Sequence, residues 1–181
     1  MQTALEQEHY APKEIEVLAG DCAISTPATH RLITRDLLSC VAVAVHAPTL
    51  SIGALLRFSF PGQPGAEESN EWLSANTAIP ALFEKFRDLG VSKSDLSVYA
   101  VGGANVATAD EAAVTGKRNV LALRKALWRE GILLRGDDTG GTSSRSVSFD
   151  GNSGRIIVRA RSLNRLNPAD IQGAKPCHFA C

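Results

Sequence analysis

The chain has 181 residues, 44% hydrophobic and 21% charged, and its 19 basic and 19 acidic side chains cancel to zero net charge. That composition suits one globular domain with a core large enough to need no staples, and its neutrality speaks against a charge-driven role on nucleic acid or on a membrane surface. No apolar run approaches the roughly 20 residues that span a bilayer, and the scattered Cys22, Cys40, Cys177 and Cys181 suggest free thiols rather than a disulfide framework.

Residues 1–14 read as a charged leader without the apolar stretch of a signal peptide, so the cytoplasm is the expected location. The ordered domain is expected over 15–162, starting near Ile15-Glu16-Val17. Strands follow at Val41–Val45 and at Ser51–Phe58, and Pro61-Gly62-Gln63-Pro64-Gly65 is a loop. Ile79, Leu82, Phe83 and Phe86 recur at helical spacing, which predicts a helix over Asn76–Leu89 with Gly90 as its stop. Pro80 is tolerable there if it lies in the first turn. Ser97–Val101 reads as a strand ending at Gly102-Gly103. Asn119–Glu130 reads as a second helix, with Val120, Leu123 and Leu127 on one face and Gly131 as the stop.

Three further strands are expected at Ile132–Leu134, Arg145–Phe149 and Arg155–Arg159, the last two joined by a hairpin turn at Asp150-Gly151-Asn152-Ser153-Gly154. Residues 163–181, with Pro168, Gly173 and Pro176, read as an irregular tail. Two helices among many short strands, out of strict alternation, predict an α+β fold. The expected form is a single-domain layered sandwich of mixed β-sheets with two or three helices.

Cys40 carries the strongest chemical signal, because it stands directly before an apolar strand, where a thiol can act as a nucleophile at the mouth of a buried element. The competing reading is a small buried hydrophobe. The glycine pairs 102–103 and 140–141 read as tight turns, since neither completes a dinucleotide-binding or Walker pattern. Asp138 and Arg145 line a site or brace a loop, with bracing favoured. Cys177-His178 with Cys181 would give three ligands in a tail without a second C-x-x-C, so neither a metal nor a cofactor is expected.

Four separated motifs carry a resemblance. They are Thr34–Cys40 with its apolar strand and Pro48, and Gly53–Pro61. Gly102-Gly103-Ala104 with Gly116-Lys117-Arg118-Asn119 is the third, and Asp138–Val147 the fourth. In order and spacing they resemble the CheD family, the chemoreceptor glutamine deamidases, over roughly residues 15–160. The resemblance implies a cysteine amidohydrolase that converts receptor glutamines to glutamates. It also implies two partners, the cytoplasmic domains of methyl-accepting chemoreceptors and a CheC-type phosphatase.

The family's catalytic set is Cys, His and Thr. By resemblance Cys40 is the nucleophile and Thr34 the group that orients the histidine, while the histidine's own position holds Arg57. Ser39, Gly102, Gly103, Asp138, Gly140 and Gly141 are the implied site-lining residues. Two glycines of the family's turn before the cysteine are replaced by Asp36 and Leu38.

Arginine stays protonated and can neither accept the thiol proton nor hand one to a leaving amine, although its charge favours a thiolate. His46 shares strand parity with Cys40 but stands six residues, about 20 Å, away. His30 lies ten residues before Cys40, and His9 and His178 fall in the expected tails. The leading expectation is a receptor glutamine deamidase. The alternative is a catalytically silent module that docks on receptors or on a CheC-type phosphatase.

Overall fold

The computed structural model describes residues 13–26, 29–62, 70–105 and 112–162. Nine strands and two helices follow one another. They are β1 (Glu14–Glu16), β2 (Asp21–Ile24), β3 (Arg31–Leu37), β4 (Val41–Ala47), β5 (Ile52–Phe58), α1 (Ala75–Asp88), β6 (Ser97–Gly102), α2 (Ala112–Glu130), β7 (Gly136–Thr139), β8 (Ser143–Asp150) and β9 (Ile156–Ser162). One sheet has the order β1-β3-β8-β9 and the other β2-β5-β4-β6-β7. Both are mixed, because β1 runs parallel to β3 and β7 parallel to β6 while the other pairs are antiparallel. The expected α+β layered sandwich is the fold found.

Side-chain alternation along β4 explains the layering. Val41, Val43, Val45 and Ala47 point into the core shared with the helices, and Ala42 and Ala44 point into the core between the sheets. Its neighbour β5 alternates likewise, with Ala54, Leu56 and Phe58 toward the helices and Leu55 toward the other sheet. Helix α1 buries Ala78, Ile79, Leu82, Phe83 and Phe86 against this sheet, and α2 buries Leu123, Ala126 and Leu127. Each large apolar side chain so buried contributes about 1.5–3 kcal/mol. No helix among the described residues is long and apolar enough to cross a membrane.

Several boundaries differ from the sequence expectation. Pro80 falls in the second turn of α1 rather than the first, on its exposed side. Helix α2 starts at Ala112, seven residues before the expected Asn119, and runs through Gly116. Ile132–Leu134 is not a strand. Ile132 and Leu134 pack against the helix-side core, so their apolar spacing reports packing below α2. The strand comes later, at Gly136–Thr139, an edge strand of Gly, Asp, Asp and Thr whose β-propensity is weak. The hairpin between β8 and β9 forms as expected: Asp150 Oδ1 accepts from the Asn152 and Ser153 amides at 3.0 and 2.9 Å. Part of the 61–65 loop and the Cys177/His178/Cys181 group lie outside the described residues.

Gly116 is where α2 presses on the end of β6. A Cβ there would collide with the Ala104 carbonyl and come within 2.6 Å of the Gly103 carbonyl, both backbone atoms that cannot yield. We expect Gly116→Ala to lower stability by about 1–3 kcal/mol, as overpacking does, despite alanine's better helix propensity. A urea titration showing equal or greater stability would contradict this close approach.

Candidate active site

One end of the sandwich gathers all four motifs. Strand pairing aligns the end of β3 with the start of β8 (Leu37 opposite Arg145) and the start of β4 with the end of β5 (Val41 opposite Phe58). It also aligns the start of β4 with the end of β6 (Val41 opposite Gly102), and Gly102 with Thr139 at the end of β7. The period of two then sends Cys40, Arg57 and Thr34 into the space between the sheets. Cys40 shares parity with Ala42 and Ala44, Arg57 with Leu55, and Thr34 with Leu32.

The approach to Cys40 is bent by a bulge. Between Thr34 and Leu37 the register of β3 on β8 shifts by one residue, and Asp36 takes a φ of 52°. Aspartate is among the few side chains that tolerate this left-handed region, so Asp36 supplies the turn for which glycine is the common solution. Leu38 has no positive φ and needs no glycine. The segment is then tied to the end of β6. The Ala104 amide donates to the Leu38 carbonyl at 2.7 Å, and the Gly103 amide to the Cys40 carbonyl at 2.8 Å. Gly102 lies so close under Cys40 that a Cβ would strike the Cys40 carbonyl, and both glycines have positive φ, 113° and 65°.

Around the sulfur the structure unites the three residues singled out from sequence. Cys40 is 3% exposed, and Arg57 Nη2 donates to its Sγ at 3.9 Å. Arg57 Nη1 donates to Thr34 Oγ1 at 3.2 Å and to the Arg35 carbonyl at 2.8 Å. Thr34 Oγ1 and the Arg35 carbonyl together fix the position of the guanidinium. No histidine among the described residues reaches the thiol. His46 lies at the far end of β4, opposite Gly53 and Ser97, with Nε2 3.1 Å from the Asn152 carbonyl. His30 sits 3.7 Å from Asp150, where β3 begins.

Two residues complete the site that sequence reading did not single out. Ser59 Oγ lies 3.3 Å from Cys40 Sγ. Asn119, fully buried on α2, donates through Nδ2 to the Ser39 carbonyl at 2.9 Å and to the Ser59 carbonyl at 2.7 Å. One amide thus fixes the backbone on both sides of the sulfur. Both stand within the motifs read from sequence, but with the helix expected to begin at Asn119 nothing marked that residue as facing the core; the observed start at Ala112 puts it inside α2, where a buried amide needs partners.

The remaining residues named from sequence lie around this end of the sandwich. Ser39 contributes its carbonyl to the Asn119 bond. Gly140 donates its amide to the Gly102 carbonyl at 2.8 Å, and the Gly141 carbonyl accepts from Asn105 at the same distance. Asp138 and Arg145 brace this loop. Arg145 Nη2 meets Asp138 Oδ1 at 2.8 Å, while Nη1 donates to the Gly140 and Ser143 carbonyls. Among the described residues no three His, Cys, Asp or Glu side chains gather to hold a metal.

Comparison with known proteins shows the family to which the chain is similar. Residues 60–160 match the model of the family described as CheD chemotactic sensory transduction. A probable chemoreceptor glutamine deamidase CheD of Solibacter usitatus is 36% identical over 150 residues, covering 81% of this chain and 89% of that protein. The chemoreceptor glutamine deamidase CheD of Thermotoga maritima is 33% identical over 128 residues, 71% of this chain and 80% of that one. A probable counterpart from the archaeon Haloarcula marismortui is 27% identical over 88% of this chain and 92% of its own.

Two measurements test the site's construction. Asn119→Ala leaves two buried carbonyls without their donor, at about 1–3 kcal/mol each. Urea unfolding should register a loss of at least about 2 kcal/mol, and a loss near zero would remove the clamp. Burial pushes the Cys22 thiol up to about 12, against the lowering effect of the Lys85 charge. Below that value Cys22 stays a thiol, so peptide mapping after iodoacetamide treatment at pH 8 should find it unmodified in the folded protein and alkylated in urea. Equal labelling in both states would contradict its burial.

Proposed function

The chain belongs to the CheD family, and from that membership and the site's geometry we propose that it hydrolyses glutamine side chains of chemoreceptors to glutamate. The observation that carries the proposal is the meeting of Cys40, Thr34 and the Arg57 guanidinium at the end of the sandwich where the glycine turns converge. The 15–162 segment is the working domain in this reading, and the cytoplasm is its location. Receptor cytoplasmic domains are the substrate, and a CheC-type phosphatase is the second partner.

In the proposed reaction Cys40 Sγ, as thiolate, attacks the carboxamide carbon and the carbonyl oxygen takes the negative charge. The C–N bond then breaks, and the nitrogen leaves as ammonia with a proton drawn from water. Water attacks the thioester, the C–S bond breaks, and glutamate and the thiolate are released. The overall change adds one water and yields one carboxylate and one ammonium.

Arg57 cannot carry protons in this cycle. It acts instead as a fixed positive charge beside Sγ, held by Thr34, which favours the nucleophilic anion without receiving its proton. Ser59 gives the sulfur a hydroxyl neighbour. With no histidine among the described residues to shuttle protons, proton delivery falls to solvent and turnover is slow. Positioned acid–base catalysis contributes about 10²- to 10⁴-fold where it exists.

The same substitution favours a second reading, in which the chain docks on receptors or on the phosphatase without turnover. Mass spectrometry of a receptor cytoplasmic fragment separates the two. A glutamine-to-glutamate shift with the wild-type chain and none with Cys40→Ala is expected, whereas no shift with either leaves only docking. Arg57→His should raise the rate by about 10²-fold or more if the missing shuttle is the limit. An unchanged or lower rate would mean that proton transfer is not limiting.

A further inference from the structure

Arg57 has no counter-ion among the described residues. Among the described residues no carboxylate forms an ion pair with it, although it stands partly buried between two sheets. Its Nη1 is fully engaged by Thr34 Oγ1 and the Arg35 carbonyl. Its buried Nε has no hydrogen-bond partner, and Nη2 reaches only sulfur, at 3.9 Å. In a guanidinium the Nε–H and one Nη2–H run parallel along one edge, at the spacing of the two oxygens of a carboxylate. On that edge Nε is the atom left without a hydrogen-bond partner, and Nη2 has only the sulfur on which the proposed reaction takes place.

From this we infer that the site holds a glutamate side chain in preference to glutamine, so that the chain stays on receptor positions that already carry the carboxylate. The inference rests on receptor side chains entering beside Cys40, as in the proposed function. A carboxamide offers one acceptor oxygen and an NH₂ that would face another donor, and it brings no charge. A carboxylate offers two acceptors and neutralises the cation. While Cys40 is a thiol the guanidinium charge is partly buried and uncompensated, which is costly and makes its pairing with a carboxylate correspondingly favourable. In the reaction, the carboxylate forms on the carbon that was bonded to Sγ, one bond from the atom that Nη2 already contacts. A histidine at this position in its neutral form would present no such charge. Arg57 thereby turns a site of glutamine chemistry toward reading the modification state of the receptor.

The test uses the full chain carrying Cys40→Ala, so that neither probe is altered during titration. Two fluorescent helical peptides of one receptor methylation region are compared by anisotropy, identical except for glutamine or glutamate at the modified position. Charge-assisted pairing of this kind predicts at least about 10-fold tighter binding of the glutamate peptide. Adding Arg57→Gln should abolish the preference, and Arg57→Lys should keep part of it, since charge remains while the fork is lost. Equal affinities, or a preference for glutamine in the parent protein, would overturn the inference, and this comparison stands even if the Arg57 variants do not fold. Turnover measured separately keeps the two readings apart. Deamidation without a glutamate preference defeats the inference alone, and a glutamate preference without deamidation defeats the enzyme alone.

Discussion

All seven residues of β4, Val41–Ala47, are closed to solvent, with one set of side chains against the helices and the other against the second sheet. This double burial sets the positions of everything around the site. A strand buried on both faces cannot slip by one residue without exchanging its valines, which fill the helix side, for its alanines, which let the second sheet approach. Cys40 precedes the strand by one position, so its side chain inherits the inter-sheet direction. The same rule aims Arg57 and Thr34 inward from β5 and β3. The site is therefore a consequence of packing, placed at the end of the sandwich where the inter-sheet core opens toward the turns.

The turns then hold what the strands have aimed. Gly103 and Ala104 bind the carbonyls of Cys40 and Leu38, and the 140–141 turn binds the other side of β6. Helix α2 closes the arrangement from the opposite core through Asn119, which grips the chain beside Cys40 and at Ser59 with a single amide. Gly116, one turn earlier on the same helix, lets α2 come near enough for that grip. The third motif is thus one device split between a turn and a helix, although 11 residues lie between Ala104 and Gly116.

Arg57 fits this frame without disturbing it. It donates to Thr34 and to the Cys40 sulfur, and so sets a guanidinium beside the thiol. Asp36 keeps the bend before the cysteine by adopting the left-handed backbone itself. Asp36 and Arg57 therefore fall differently: the first keeps the backbone bend, and the second stands beside the sulfur.

Much of this was legible in the residues. The helix periodicity of α1, the continuous apolar run of β4, the Asp-Gly hairpin and the motif order identified the fold class and pointed to Cys40, Thr34 and Arg57. Strands β2, β3 and β7 were not legible, because their polar and mixed residues follow from edge positions and from a bulge rather than from local propensity. Ile132–Leu134 misled for the converse reason, since apolar spacing records burial without saying which element provides it. By itself, then, the sequence determined which side chains were available and on which face of its own strand each would lie, because alternation is a local property of the backbone. Only the tertiary structure decided that Ser59 and Asn119 meet around Cys40, and that the Nε of Arg57 is left without a hydrogen-bond partner. Those facts depend on strand register and on how closely a helix approaches a turn, and both are fixed by contacts between residues far apart in the chain.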